Sequence, residues 1–181
     1  LLQHDMKRFM AYSSISQAGY QILAVLGTPS QGAGAMAYYV AVYVVANLAV
    51  FGVISTVEQN CGGRTDREAY NGFYQTNPRL SLVMTAGLFS LAGIPPSKFM
   101  VFAAAFHAGH WMIVFLALVN TVISLYYYLL VVKAIFITPA ETNPLPKFTS
   151  SGAVRAALAI CLAAICLIGI CPQAFDWMTQ A

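Results

Sequence analysis

Charge is what this sequence has least of. Only 8% of its 181 residues are charged and 59% are hydrophobic, whereas a typical soluble domain has about 25% charged residues. That excludes a solvated globular surface and reads as a membrane protein. Cysteine chemistry is missing too, because there is no CxxC pair and Cys161, Cys166 and Cys171 recur every five residues. On a helix that spacing turns each about 140° from the last. They read as small apolar fillers, so no metal site and no cluster-binding site is expected in this chain. No glycine-rich phosphate loop occurs, which argues against a nucleotide or flavin site. The net charge is +3, but the basic residues are dispersed, and no nucleic-acid partner is expected. The opening LLQHDMKRFM lacks the order of a signal peptide, and position 1 is expected to be a cut within a longer chain whose N-terminal part is missing.

What the sequence does have is long apolar runs. A bilayer core takes about 20 apolar residues per helix, and five stretches qualify, at 9–26, 35–56, 80–106, 111–137 and 153–170. The fold class is therefore all-α, a polytopic transmembrane bundle of about five spans, with residues 1–181 forming a single membrane domain. Turn formers fill the connections: Thr28-Pro29-Ser30-Gln31-Gly32, Cys61-Gly62-Gly63, and Pro139 to Pro146. Lys7, Arg8, Arg64, Arg67, Arg79, Lys133, Lys147 and Arg155 all fall at one set of ends. Short cytoplasmic loops are enriched in Lys and Arg. This predicts that residues 57–79 and 138–152 are cytoplasmic and that the C-terminus is periplasmic.

The ninth basic residue, Lys98, lies inside the third span. A lysine well inside a spanning segment costs at least about 2.5 kcal/mol on insertion scales, and such residues often mark an ion path. Lys98 is eight residues from Phe106, about 12 Å at helical rise, which is long for snorkelling. Just before it runs Gly93-Ile94-Pro95-Pro96. Two consecutive prolines remove two helix hydrogen bonds and leave the carbonyls of Leu91 and Ala92 without their usual donors. The third span should be kinked or broken there. Discontinuous helices recur at transporter ion sites.

A proton path also needs side chains that hold water. Polar stripes at helical spacing supply them: Ser13, Gln17 and Tyr20 on the first span; Tyr39, Tyr43 and Asn47 on the second; Asn120, Ser124 and Tyr128 on the fourth. Such residues serve equally to line a wet interior and to pack helices together. Lys98 is the leading proton-transfer candidate, with Tyr43, Asn47, Ser124 and Lys133 behind it and Gly93, Pro95 and Pro96 forming the helix break. Lys133, near a helix end, also suits an interface anchor. His107 and His110 are three apart but have no acidic or cysteine partner nearby, and no metal site is expected of them.

At MKRFMAYSSISQAGY (6–20), NGFYQTNPRLSL (71–82), FSLAGIPP (89–96) and NTVISLYYYLLVVK (120–133) the sequence resembles the antiporter-like subunits of bacterial respiratory complex I, and among them the subunit N family. The resemblance implies the second half of an antiporter-like inverted-repeat fold, with a discontinuous helix whose charged residue matches Lys98. It implies proton translocation coupled to NADH oxidation and quinone reduction in the bacterial inner membrane, beside other membrane-arm subunits, with lipid, protons and water as the remaining partners. FMN and iron-sulfur clusters would sit in partner subunits. A cation/proton antiporter of the same fold is the alternative. One departure is visible: the family usually carries about six more residues between Pro-Pro and the lysine, and here Ser97 follows Pro96 directly. Six helical residues amount to about 9 Å, so Lys98 is set that much closer to the break.

Overall fold

The computed structural model describes residues 3–27, 29–93, 97–139 and 145–170. It is built from helices: α1 (Met6–Val25), α2 (Pro29–Asn60), α3 (Phe73–Thr76), α4 (Pro78–Ala92), α5 (Ser97–His107), α6 (Trp111–Phe136) and α7 (Gly152–Ile170), with one 3-10 turn at Arg67–Tyr70. Gly32–Asn60 and Trp111–Phe136 are each long and apolar enough to cross a membrane. The third predicted span is divided between α4 and α5, each too short to cross alone. The connection at 57–79, expected to be cytoplasmic, contains the 3-10 turn and α3.

Helix α2 is the hub, packed against α1, α4, α5 and α7. Small residues permit the approach, since lipid gives helices no hydrophobic reason to associate and close packing has to do so. A Cβ on Gly87 of α4 would stand 2.6 Å from Val50 Cγ2 and 3.2 Å from the Ala46 carbonyl of α2. Around this seam Val50, Val53, Ile54, Met84 and Leu88 are buried with Tyr128, Val131 and Ile135 of α6. A second cluster, with Tyr20, Leu23, Tyr39, Val101, Phe102 and Val114, joins α1, α2, α5 and α6. By contrast α6 turns Trp111, Phe115, Leu116, Val122 and Tyr126 outward. An apolar outer face is the one expected against lipid.

One end of the bundle is tied together by polar contacts. Asp5 caps α1 by accepting from the Arg8 N–H at 2.9 Å, and the Thr65 hydroxyl donates to the same carboxylate. Met6 N–H reaches the Thr65 carbonyl at 2.8 Å and Arg67 N–H the His4 carbonyl at 2.6 Å. Lys7 pairs with Glu58 at 2.6 Å. Gly72 N–H donates to the Ala134 carbonyl at 2.9 Å, and the Asn77 amide donates to the Pro146 carbonyl at 3.1 Å. The start of α1, the end of α2, α3, the end of α6 and the segment before α7 therefore share one end. Residues 171–181, on which the expected C-terminal location falls, lie outside the described residues.

Candidate functional site

The site is built on the end of α4. Gly93 closes that helix with φ +103°, a conformation that favours glycine, and its N–H donates to the Phe89 and Ser90 carbonyls, both at 3.2 Å. In a continuing helix the next donors would be the N–H groups of residues 95 and 96. Both are prolines and have none. Two side chains take up the freed carbonyls instead. Gln17 Nε2 of α1 donates to the Leu91 carbonyl at 2.9 Å, and Lys98 Nζ donates to the Ala92 carbonyl at 3.4 Å. Pro95 and Pro96 themselves lie outside the described residues.

Lys98 is only 3% exposed, so its amine is not in the outer solvent. Its stem crosses Gly93, where an added Cβ would lie 2.7 Å from Lys98 Cδ. The ammonium sits 4.5 Å from the centroid of the Tyr20 ring, within cation–π range. Among the described residues no carboxylate pairs with it; the ion pairs His4–Glu68, Lys7–Glu58 and Arg64–Asp66 are all at the tied end. One long hydrogen bond and one ring face are a light hold on a buried cation, which leaves the amine able to change partners.

The polar stripes meet around it. Tyr20 accepts from Asn120 Nδ2 and from Thr121 Oγ1, both at 3.0 Å. Gln17 is 1% exposed; its Oε1 accepts from the Tyr39 hydroxyl, and its Nε2 donates to Tyr128 Oη at 3.1 Å. Tyr128 in turn shares a hydrogen bond with Ser13. The chemistry fixes the orientation of the amide, because a carbonyl only accepts and the atom facing Leu91 O must be the NH2 group. Helices α1, α2, α4 and α6 thus meet at one glutamine.

Among the described residues the other sequence-derived candidates are not hydrogen-bonded to Gln17 or Lys98. Tyr43 accepts from Asn47 Nδ2 at 3.2 Å, while Asn47 Oδ1 and Ser90 Oγ are buried without a hydrogen-bond partner among the described residues. Buried polar atoms in that state are the usual seats of ordered water. Ser124 is half-buried but joins none of the bonds around Gln17. Lys133 is exposed and stands twelve residues beyond Thr121 on α6, about 18 Å along the axis, so the structure does not bring it to Lys98. The described residues contain no group of His, Cys, Asp and Glu that could hold a metal ion. Gln17, Tyr20, Tyr39 and Tyr128 were visible as members of stripes, but spacing alone did not single them out. The usable signal was the Pro-Pro pair, which demands two outside donors for two carbonyls.

A bundle with a broken helix, a buried lysine at the break and a hydroxyl-amide network beside it is the arrangement of an antiporter-like membrane subunit. Residues 1–124 match the family described as NADH:quinone oxidoreductase/Mrp antiporter, TM; the chain belongs to that family and is a multi-pass membrane protein. Within it, the chain is 59% identical over 183 residues to NADH-quinone oxidoreductase subunit N of Phocaeicola vulgatus, covering 98% of this chain and 39% of that relative. It is 43% identical to the subunit N of Azobacteroides pseudotrichonymphae, covering 97% of this chain and 38% of that one. A chain in the structure of respiratory complex I from Thermus thermophilus with bound aureothin superimposes with a TM-score of 0.79 at 34% identity, covering 97% of this chain and 40% of that chain. The chain thus spans about two fifths of the length of the relatives it matches.

Proposed function

We propose that this chain is the C-terminal part of a subunit N that moves protons in the membrane arm of a respiratory NADH:quinone oxidoreductase, with Lys98 as its proton-transfer residue. The carrying observation is the placement of Lys98: buried, without a carboxylate partner among the described residues, and bonded to a carbonyl freed by the Pro-Pro break. An amine so held can pass a proton to water and regain one when its surroundings rearrange. The unpartnered atoms of Asn47 and Ser90 offer anchoring points for such water. NADH oxidation and quinone reduction belong to partner subunits, which hold the FMN and iron-sulfur clusters. The membrane is the bacterial inner membrane, with the tied end of the bundle in the cytoplasm.

The family description also includes an antiporter. Sodium-dependent exchange in the absence of NADH would favour that second reading, whereas the subunit N names of the relatives favour the first. The test of the first uses the full-length subunit in its assembled complex. In inverted membrane vesicles at matched complex abundance, Lys98→Ala should lower NADH-driven proton uptake several-fold and slow NADH oxidation through coupling. Lys98→Arg should also impair uptake, because arginine hardly deprotonates. Lys133→Ala should be tolerated, since its side chain is exposed near a helix end. Normal uptake in Lys98→Ala would overturn the assignment.

A further inference from the structure

The geometry points to Gln17 as a positioning residue for Lys98: its amide supplies the hydrogen bond that Pro95 lacks and so reserves a single carbonyl, that of Ala92, for the lysine. This inference rests on the proton-transfer reading of Lys98.

Two adjacent carbonyls, Leu91 O and Ala92 O, lose their donors at the same break, and two side chains take one each, at 2.9 Å and 3.4 Å. Without the Gln17 donor, Leu91 O would be a buried acceptor with no partner, unfavourable because it has given up water without gaining a donor. A nearby donor able to respond is the lysine, whose ammonium has three hydrogens and already bonds the next carbonyl along. Lys98 bridging both carbonyls would be pinned, and the single long bond that leaves it able to move would be lost.

Gln17 can serve as a fixed strut because its own polar atoms are all engaged. Oε1 accepts from Tyr39, and the two N–H groups go to Leu91 O and Tyr128 Oη. Rotating the amide by a half turn would set its oxygen against the Leu91 carbonyl oxygen, so the network admits one orientation. That amide does not itself titrate in the range where proteins work, so its part is positioning and not carriage. The same orientation occupies an acceptor site of Tyr128 and leaves that tyrosine's own hydrogen for Ser13.

The experiment compares Gln17→Met, Gln17→His and Lys98→Ala in the full-length subunit within the intact complex, reading proton uptake per NADH oxidised and complex abundance. Methionine keeps the length of the side chain and removes its donor. Neutral histidine keeps one donor and one acceptor and should be able to hold Leu91 O and Tyr39 together. The expected result is a several-fold fall in protons per NADH in Gln17→Met and recovery of most of it in Gln17→His. A native ratio in Gln17→Met, or a histidine variant as impaired as the methionine one, overturns the inference; so does a fall in abundance with the ratio intact. If Gln17→Met does not accumulate, Gln17→Asn replaces it. One methylene shorter, it cannot reach Leu91 O and Tyr39 at once, and a native ratio in it is equally fatal. Lys98→Ala separates the two claims: if it pumps normally, the proton-transfer reading itself falls, and if it fails while Gln17→Met pumps normally, only the role of Gln17 falls.

Discussion

Single residues at the two ends of α1 carry different kinds of consequence. In its second half Gln17 and Tyr20 reach the end of α4 and Lys98, so a change there bears on the proposed proton-transfer site. At its start Asp5 caps the helix, and the consequence there is for stability. The Thr65 hydroxyl and the Arg8 N–H hold the Asp5 carboxyl below its ordinary value of 3.8, with the Thr65 hydrogen bond the larger influence. A carboxylate depressed in the folded state contributes stability that is fully present above its unfolded pKa and is lost as the pH falls through its folded one. Asp5→Ala should therefore destabilise the bundle by about 1 kcal/mol at neutral pH, the usual size for an N-cap. The gap between the two proteins should stay constant from pH 6 to 8 and close only below about pH 4, near the ordinary carboxylate value. Thermal unfolding in detergent at several pH values measures it, and a gap that closes near neutrality would show that another group is responsible.

At the scale of elements, much of the fold was legible in the sequence because apolar length announces a membrane helix. The runs at 9–26 and 111–137 correspond to α1 at Met6–Val25 and α6 at Trp111–Phe136. Pro95 and Pro96 fall between the end of α4 and the start of α5. The 3-10 turn and α3 were not legible, because four-residue elements have no periodicity to read. They are held by a local contact, the Tyr70–Phe73 ring pair at 5.5 Å, and by a tertiary one, the Gly72 to Ala134 hydrogen bond at 2.9 Å. Gln17, Tyr20, Tyr39, Asn120 and Tyr128 stand on the expected stripes, but which of them pair could not be read, because that depends on which helices touch. The seam between α2 and α4 shows what decides that. Gly87→Val would drive a Cβ to 2.6 Å from Val50 Cγ2, and with a backbone carbonyl on the other side the helices have to part. Overpacking of this sort costs about 1–3 kcal/mol. Gly19→Ala should be harmless, since a Cβ there meets nothing within 4 Å. Accumulation and thermal stability of the two variants test the pair, and equal loss in both would refute the seam as a packing constraint.

For the molecule as a whole, the asymmetry of its ends decides how it sits in a bilayer. Contacts place the start of α1, the loop after α2, the end of α6 and the segment at 145–148 together. The sequence puts Lys7, Arg8, Arg64, Arg67, Lys133 and Lys147 on those segments and Arg79 at the start of α4 beside them. The turn from α5 to α6 at Ala108-Gly109-His110 has no lysine or arginine. That distribution follows the bias by which short cytoplasmic loops gather lysine and arginine. On that bias the tied end is predicted to face the cytoplasm and the Gly109 turn the periplasm. Both positions chosen to test this, Lys147 and His110, are exposed, so labelling reports sidedness and not burial. In a full-length subunit whose native cysteines have been replaced, His110→Cys should react with a membrane-impermeant thiol reagent added to intact cells. Lys147→Cys should react only after the inner membrane is opened. The reverse pattern would invert the bundle.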